Sequence, residues 1–227
     1  MATITYLNSF PATNGLDILT SQGKHKVIRI DSSNSDQYNF DILAAANAYQ
    51  CIGARDEVPE SLRVSAEFLK KTPNMLVVSA SGSGVDIFDL AACTDAGVLA
   101  VNQAGSNAES VAEHAISMMI SLQKNIGVAD RALRVGWSGS RLSFMGRDLL
   151  GRTVGIVGIG NIGRRLAQIC RLGFRCEVLA TDPYLSPEEI RERGAEPAEF
   201  DVLLKQSDIV SVHTPLTGET RGMFNAS

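Results

Sequence analysis

Short apolar or β-branched runs alternate with longer helical patterns from one end of the chain to the other. The runs that read as strands are Ile4–Leu7, Lys26–Ile30, Tyr49–Ile52, Met75–Ser79 and Val98–Val101, then Thr153–Val157, Glu177–Ala180 and Asp208–Val212. Helical spacing over Ser61–Lys71 and Asp86–Ala96 separates some of them. Alternation of this kind predicts βαβ units and an α/β fold with parallel sheets. The later runs are continuously apolar, as strands covered on both faces are. Ser106-Asn-Ala-Glu109 reads as a capping box opening a long helix. That helix runs through Val111, Ala112, Ala115, Ile116, Met119 and Ile120 to about Asn125. Apolar residues on several of its faces predict burial between two domains, with Met118-Met119 as core. A second helix is expected over Ala129–Val135, followed by the Gly/Ser-rich stretch Gly136–Arg141. The domain boundary is placed near Val101–Ala104, giving units of residues 1–103 and 104–227.

Composition narrows the function classes. The 227 residues are 44% hydrophobic and 20% charged, enough to bury a core and to exclude wholesale disorder. With 21 Lys+Arg against 25 Asp+Glu the net charge is −4, which argues against nucleic acid or an anionic membrane as partner. No apolar run approaches the ~20 residues of a membrane span. The opening MATITYLNSFPATNG lacks a basic and then an apolar region, so no secretory signal is expected. Cys51, Cys93, Cys170 and Cys176 form no CxxC pair, so no metal site is expected and buried, reduced thiols in a cytoplasmic protein are.

The chemistry concentrates in the second half. The stretch from Thr153 to Arg165 is a strand, then GxGxxG at Gly158, Gly160 and Gly163, then a helix expected to reach about Leu172. In this context the first glycine permits the turn, the second lets the backbone approach a pyrophosphate, and the third lets helix and strand pack closely. The helix N-terminus adds unpaired N–H groups and a positive dipole end. Asp182 lies 19 residues beyond Gly163 at the end of the next strand, the spacing of an acid that accepts ribose hydroxyls. It would repel a 2′-phosphate, which favours NAD over NADP. A plainer role for Asp182-Pro183 is to start a turn. Arg164 and Arg165, in the first turn of the helix, read as surface or diphosphate-facing. Ser211-Val-His-Thr-Pro-Leu-Thr217 closes a further strand at the same edge of the sheet, where open α/β sheets bind ligands.

Four motifs together carry a resemblance. They are Ser81-Gly-Ser-Gly-Val-Asp86, Asn107-Ala-Glu-Ser-Val-Ala-Glu-His114, the GxGxxG with Asp182-Pro183, and His213-Thr-Pro-Leu-Thr217. In this order, from about Ala48 onward, the chain resembles the D-isomer-specific 2-hydroxyacid dehydrogenases, the group that includes D-3-phosphoglycerate dehydrogenase. The resemblance implies a flavodoxin-like substrate domain joined to an NAD-binding Rossmann domain, a 2-hydroxy or 2-keto acid as substrate, and a homodimer. It implies cofactor contacts at Ser83, Gly158, Gly160, Asn161, Ile162, Gly163, Asp182, Pro183, His213, Thr214 and Pro215. It implies substrate contacts at Gly82, Ser83 and Gly84, whose glycine-rich turn suits an anion, and at Arg55. The segment Gly53-Ala-Arg-Asp56 departs from the family pattern.

The family's catalytic arginine, carboxylate and histidine follow the HxPLT motif, and this chain stops ten residues after Thr217. Catalytic residues are therefore expected beyond Ser227, and the chain reads as an N-terminal fragment without turnover of its own. The three histidines do not replace them: His25 reads as surface, His114 as structural, and His213 as part of the cofactor wall. Counting Thr153–Val157, Glu177–Ala180 and Asp208–Val212 as strands 1, 2 and 3 of a six-stranded sheet leaves the second Rossmann half missing and strand 1 at an unpaired edge. The rival reading is a non-catalytic NAD(H)-binding regulator, similar to the C-terminal binding protein corepressors.

Overall fold

A computed structural model describes residues 1–10, 14–21 and 23–225. The chain divides into two compact units, Met1–Ser106 and Asn107–Ser227, each with its own sheet and core.

The first unit holds strands β1 (Ala2–Leu7), β2 (His25–Ile30), β3 (Ala48–Ile52), β4 (Val77–Ser81) and β5 (Leu99–Val101). They pair in parallel in the order β2-β1-β3-β4-β5, the flavodoxin-like arrangement. Helices α1 (Gly15–Ser21), α2 (Asp36–Leu43), α3 (Ala66–Lys71) and α4 (Leu90–Asp95) are short. Tyr49 stacks on Phe68 with centroids 5.4 Å apart, and both are buried. The Tyr49 hydroxyl donates to the Leu62 carbonyl at 3.2 Å, so this buried polar group is satisfied. The expected helix Ser61–Lys71 is broken in two, a 3-10 turn at Glu60–Leu62 and then α3. Between them buried Val64 forms a parallel bridge to Phe88, which demands extended backbone, and Ser65 caps α3 through the Phe68 N–H. The same bridge delays the start of α4 to Leu90, with Asp89 as its N-cap.

The second unit begins with α5 (Ala108–Gln123) and α6 (Ile126–Arg134). Strand β6 (Thr153–Val157), helix α7 (Asn161–Phe174), strand β7 (Glu177–Thr181), helix α8 (Pro187–Glu192), strand β8 (Glu196–Pro197), helix α9 (Phe200–Gln206) and strand β9 (Ile209–Val212) follow. The sheet is parallel in the order β8-β7-β6-β9. This corrects the strand count. The two-residue β8 takes the third place, and the run ending at Val212 is the fourth strand, the first of the second half. β6 is consequently not an edge: it pairs with β7 on one side and β9 on the other. Asp208 pins that register, accepting from the Thr153 N–H at 3.0 Å and from Arg152 at 3.1 Å.

Two further expectations give way. Ser106 and Glu109 make no capping box: the Ser106 hydroxyl donates back to the Gln103 carbonyl, and Glu109 binds Arg165 of α7 through both oxygens at 2.6 Å. α5 buries Ala112, Ala115, Ile116 and Met119 in the second unit's core, whereas Met118 is half exposed. All four cysteines are buried and unpaired, as their spacing suggested. Burial pushes the Cys51 and Cys170 thiols up to about 12, which leaves them unreactive.

Candidate functional site

The carboxyl edge of the second sheet gathers most of the predicted residues. β6 is apolar and buried after Thr153, and it delivers the chain into Gly158 at φ +87°, a backbone angle that suits glycine. A Cβ there would lie 2.9 Å from the Thr214 methyl and 3.1 Å from its N atom. The glycine loop and the end of β9 are thus in close contact. Gly163 lies under the same constraint, since a Cβ would stand 2.3 Å from the Gly158 carbonyl oxygen. α7 can rest on β6 only because that Cβ is absent.

Gly160 differs from both. It is the N-cap of α7 with φ −71°, and a Cβ on it would meet no protein atom within 4 Å. Packing therefore excludes a side chain at 158 and 163 and leaves room for one at 160. No hydrogen bond joins the Gly160 or Asn161 N–H to another described residue. Asn161 and Ile162 open the helix, exposed and half buried respectively.

Asp182 follows β7 and is half buried. Its Oδ2 accepts from the Ile159 N–H at 3.1 Å and its Oδ1 from the Tyr184 N–H at 3.1 Å. The turn-starting role of Asp182 is thus seen, and the Ile159 contact also ties that turn to the glycine loop. A carboxylate has about four lone-pair sites, so two acceptor positions remain. Pro183 is exposed beside it.

The His213 backbone N–H donates to the Val157 carbonyl at 2.8 Å, and its ring Nε2 lies 2.9 Å from Ser211 Oγ. Burial pulls the imidazole below its usual range, so the neutral ring is favoured. Thr214 packs on Gly158, and Pro215 is exposed, its carbonyl accepting from Thr220 Oγ1 at 2.6 Å. Arg165 is committed to Glu109, which settles its role as a clamp between α5 and α7, while Arg164 is exposed.

Sequence reasoning missed Arg193. This residue caps the C-terminus of α8, and its Nη1 donates to the Ile159 carbonyl at 2.9 Å. Nothing local marks it, because the contact spans 34 residues and depends on how α8 folds back. Also missed was the capping box of Ser186 and Glu189, which starts α8.

The remaining predicted residues lie in the first unit. Gly82 has φ +91°, its carbonyl accepts from the Gln103 N–H at 2.8 Å, and the Ser83 carbonyl accepts from Asn102 Nδ2 at 3.0 Å. A Cβ on Gly53 would stand 2.7 Å from the Ser81 carbonyl oxygen and 3.3 Å from that of Gly84, so the loops after β3 and β4 touch through backbone. Arg55 is exposed in a 3-10 turn and lines an open groove of about 690 Å3 with Arg63, Asp36 and Asp86.

Comparison with known proteins bears on the family and the fold. Residues 116–227 match the family model for the D-isomer specific 2-hydroxyacid dehydrogenase, NAD binding domain. The chain is 36% identical over 185 residues to the D-3-phosphoglycerate dehydrogenase of Archaeoglobus fulgidus, covering 81% of this chain and 34% of that relative. It therefore spans about a third of the length of that curated relative. The NAD-dependent formate dehydrogenase from Staphylococcus aureus in complex with NAD superposes with a TM-score of 0.80 at 25% identity, covering 98% of this chain and 68% of that one. The D-lactate dehydrogenase from Aquifex aeolicus complexed with NAD and lactic acid gives 0.75 at 27%, covering 95% and 62%. Residues 116–227 are thus an NAD-binding domain, and NAD is the cofactor.

Proposed function

Since the chain belongs to the D-isomer specific 2-hydroxyacid dehydrogenase family, we propose that it serves an NAD-dependent oxidoreductase acting on the CH–OH group of a D-2-hydroxy acid, of the phosphoglycerate dehydrogenase kind. When bound, NAD supplies the hydride acceptor of that oxidation, or in reduced form the donor. The chain's own part is to hold and orient. Gly160 and the first amides of α7 take the pyrophosphate. The free acceptor sites of Asp182 take the adenosine ribose hydroxyls. Thr214, with His213 and Pro215, forms the wall on the β9 side.

His213 is not assigned the proton transfer. Its burial favours the neutral ring and its Nε2 already faces Ser211. The catalytic arginine, carboxylate and histidine are proposed to lie outside these 227 residues. In the first unit, the Gly82–Gly84 turn is proposed to receive the substrate carboxylate and Arg55 a second negative group. A second copy of the chain is the proposed macromolecular partner, with sedimentation equilibrium as its check.

One observation carries the cofactor reading: no protein atom requires the missing Cβ at Gly160, in contrast to Gly158 and Gly163. A methyl group there would meet no protein atom, and it stands where a pyrophosphate must approach. NADH titration of the 227-residue chain by fluorescence, with melting curves, tests it. Gly160→Ala should weaken NADH at least about tenfold, which is about 1.4 kcal/mol, and lower the melting temperature far less than Gly163→Ala, because it loses a favourable N-cap residue but makes no clash. Gly163→Ala should lower both. Equal NADH affinity for wild type and Gly160→Ala would overturn the reading. Reduction of a 2-keto acid by this chain, above an Asp182→Ala control, would overturn the placement of the catalytic groups.

A further inference from the structure

The turn between β6 and α7 is flanked by glycines. Ile159 stands between Gly158 at φ +87° and Gly160, and neither neighbour has a Cβ to restrict it. Peptide planes flanked by glycine reorient at little steric cost. The direction of the Gly160 N–H is nevertheless what the site needs fixed, because an amide helps an anion only if it points at it.

The structure holds both planes around Ile159 from outside the turn. The plane before it is held by Asp182, which accepts the Ile159 N–H at 3.1 Å. The plane after it is held by Arg193, whose Nη1 donates to the Ile159 carbonyl at 2.9 Å. That second plane also contains the Gly160 N–H. In a trans peptide the C=O and N–H point in opposite directions. A guanidinium gripping the Ile159 carbonyl on the α8 side therefore turns the Gly160 N–H away from α8. The Ile159 side chain is fully buried, so the residue itself is anchored and only its peptide planes remain to be set.

We propose that Arg193 is a positioning residue for the cofactor site, acting through the Ile159 carbonyl to aim the Gly160 amide at the dinucleotide pyrophosphate. It needs no contact with the cofactor. A guanidinium is well matched to this role, being always charged, a strong donor to a carbonyl, and planar enough to resist rotation once bound. α8 is held in place for this by Ile190, which is buried in the second unit's core, and by the capping box of Ser186 and Glu189.

The proposal rests on the NAD reading of the site, and two measurements separate their failures. In the ligand-free, isotope-labelled 227-residue chain, the Gly160 amide resonance should shift or broaden in Arg193→Met and stay near its wild-type position in Arg193→Lys. In NADH titration, Arg193→Met should raise Kd about tenfold, the loss expected for one charge-assisted hydrogen bond. Arg193→Lys keeps a charged donor and should recover to within about threefold. A merely structural role would lower the melting temperature of both variants without this rescue. Should Arg193→Met not fold, Arg193→Gln takes its place in both comparisons. An unmoved Gly160 amide, unchanged NADH affinity in Arg193→Met, or no rescue by lysine each overturns the proposal. A wild-type chain that binds no NADH overturns the NAD reading instead, while the Gly160 amide still reports on the clamp.

Discussion

His213 shows how a single side chain can be near a site and unsuited to its chemistry. It follows β9, where burial pulls its pKa below 6.5. An unfolded chain would protonate it at its ordinary value, so below about pH 6.5 the unfolded state binds the extra proton first. Stability should fall as the pH drops through that window and level off once the folded form also titrates. In urea unfolding, the loss of midpoint between pH 7.5 and 5.5 should be larger for wild type than for His213→Gln. Equal losses would mean that the ring is solvated. At this scale much of the site was legible. The glycines and Asp182 stand at fixed sequence spacings because each serves a local turn or a strand end. Arg193 was not legible, because its bond to Ile159 exists only after α8 has folded back on the loop.

At the scale of elements, close approach decides what β6 can be. Gly155 lies mid-strand, paired with Leu179 of β7 and Val210 of β9. A Cβ there would stand 2.4 Å from Ser207 Oγ and 2.5 Å from the fully buried Leu203. α9 can cover β6 only over a glycine. Gly155→Ala should therefore destabilise the second unit by about 1–3 kcal/mol in urea unfolding, as overpacked cores are, and it should do so with or without NADH. Unchanged stability would show that α9 lifts away freely. The pattern of apolar runs found eight of the nine strands among the described residues because each is a long enough run to show. β8 escaped, since Glu196-Pro197 is two residues with no alternation to read. Its omission also misnumbered β9. The capping box at Ser106 failed for a related reason. A serine hydroxyl can satisfy a carbonyl three residues back as well as an amide ahead, and Glu109 had a better partner in Arg165.

On the scale of the whole chain, the two units differ in what they ask of each other. Every buried residue of the first core lies within 1–106, and every buried residue of the second within 107–227. The glycine loop, Asp182, Arg193 and the β9 wall all belong to the second. A unit with its own core and its own ligand groups is expected to fold alone. Residues 107–227 expressed by themselves should unfold cooperatively and bind NADH within about threefold of the full chain, a difference under 1 kcal/mol. A much larger loss would assign part of the adenosine-side affinity to the first unit and shift attention to Ser83. The isolated unit carries one hazard. The outer edge of β9 has no strand partner among the described residues, and Val212 on it is exposed. Such an edge pairs with other copies. Val212→Lys should therefore suppress aggregation of the isolated unit while leaving its NADH affinity unchanged, because the substitution charges the edge and leaves the glycine loop untouched. Light scattering with parallel NADH titration would separate edge pairing from damage to the site.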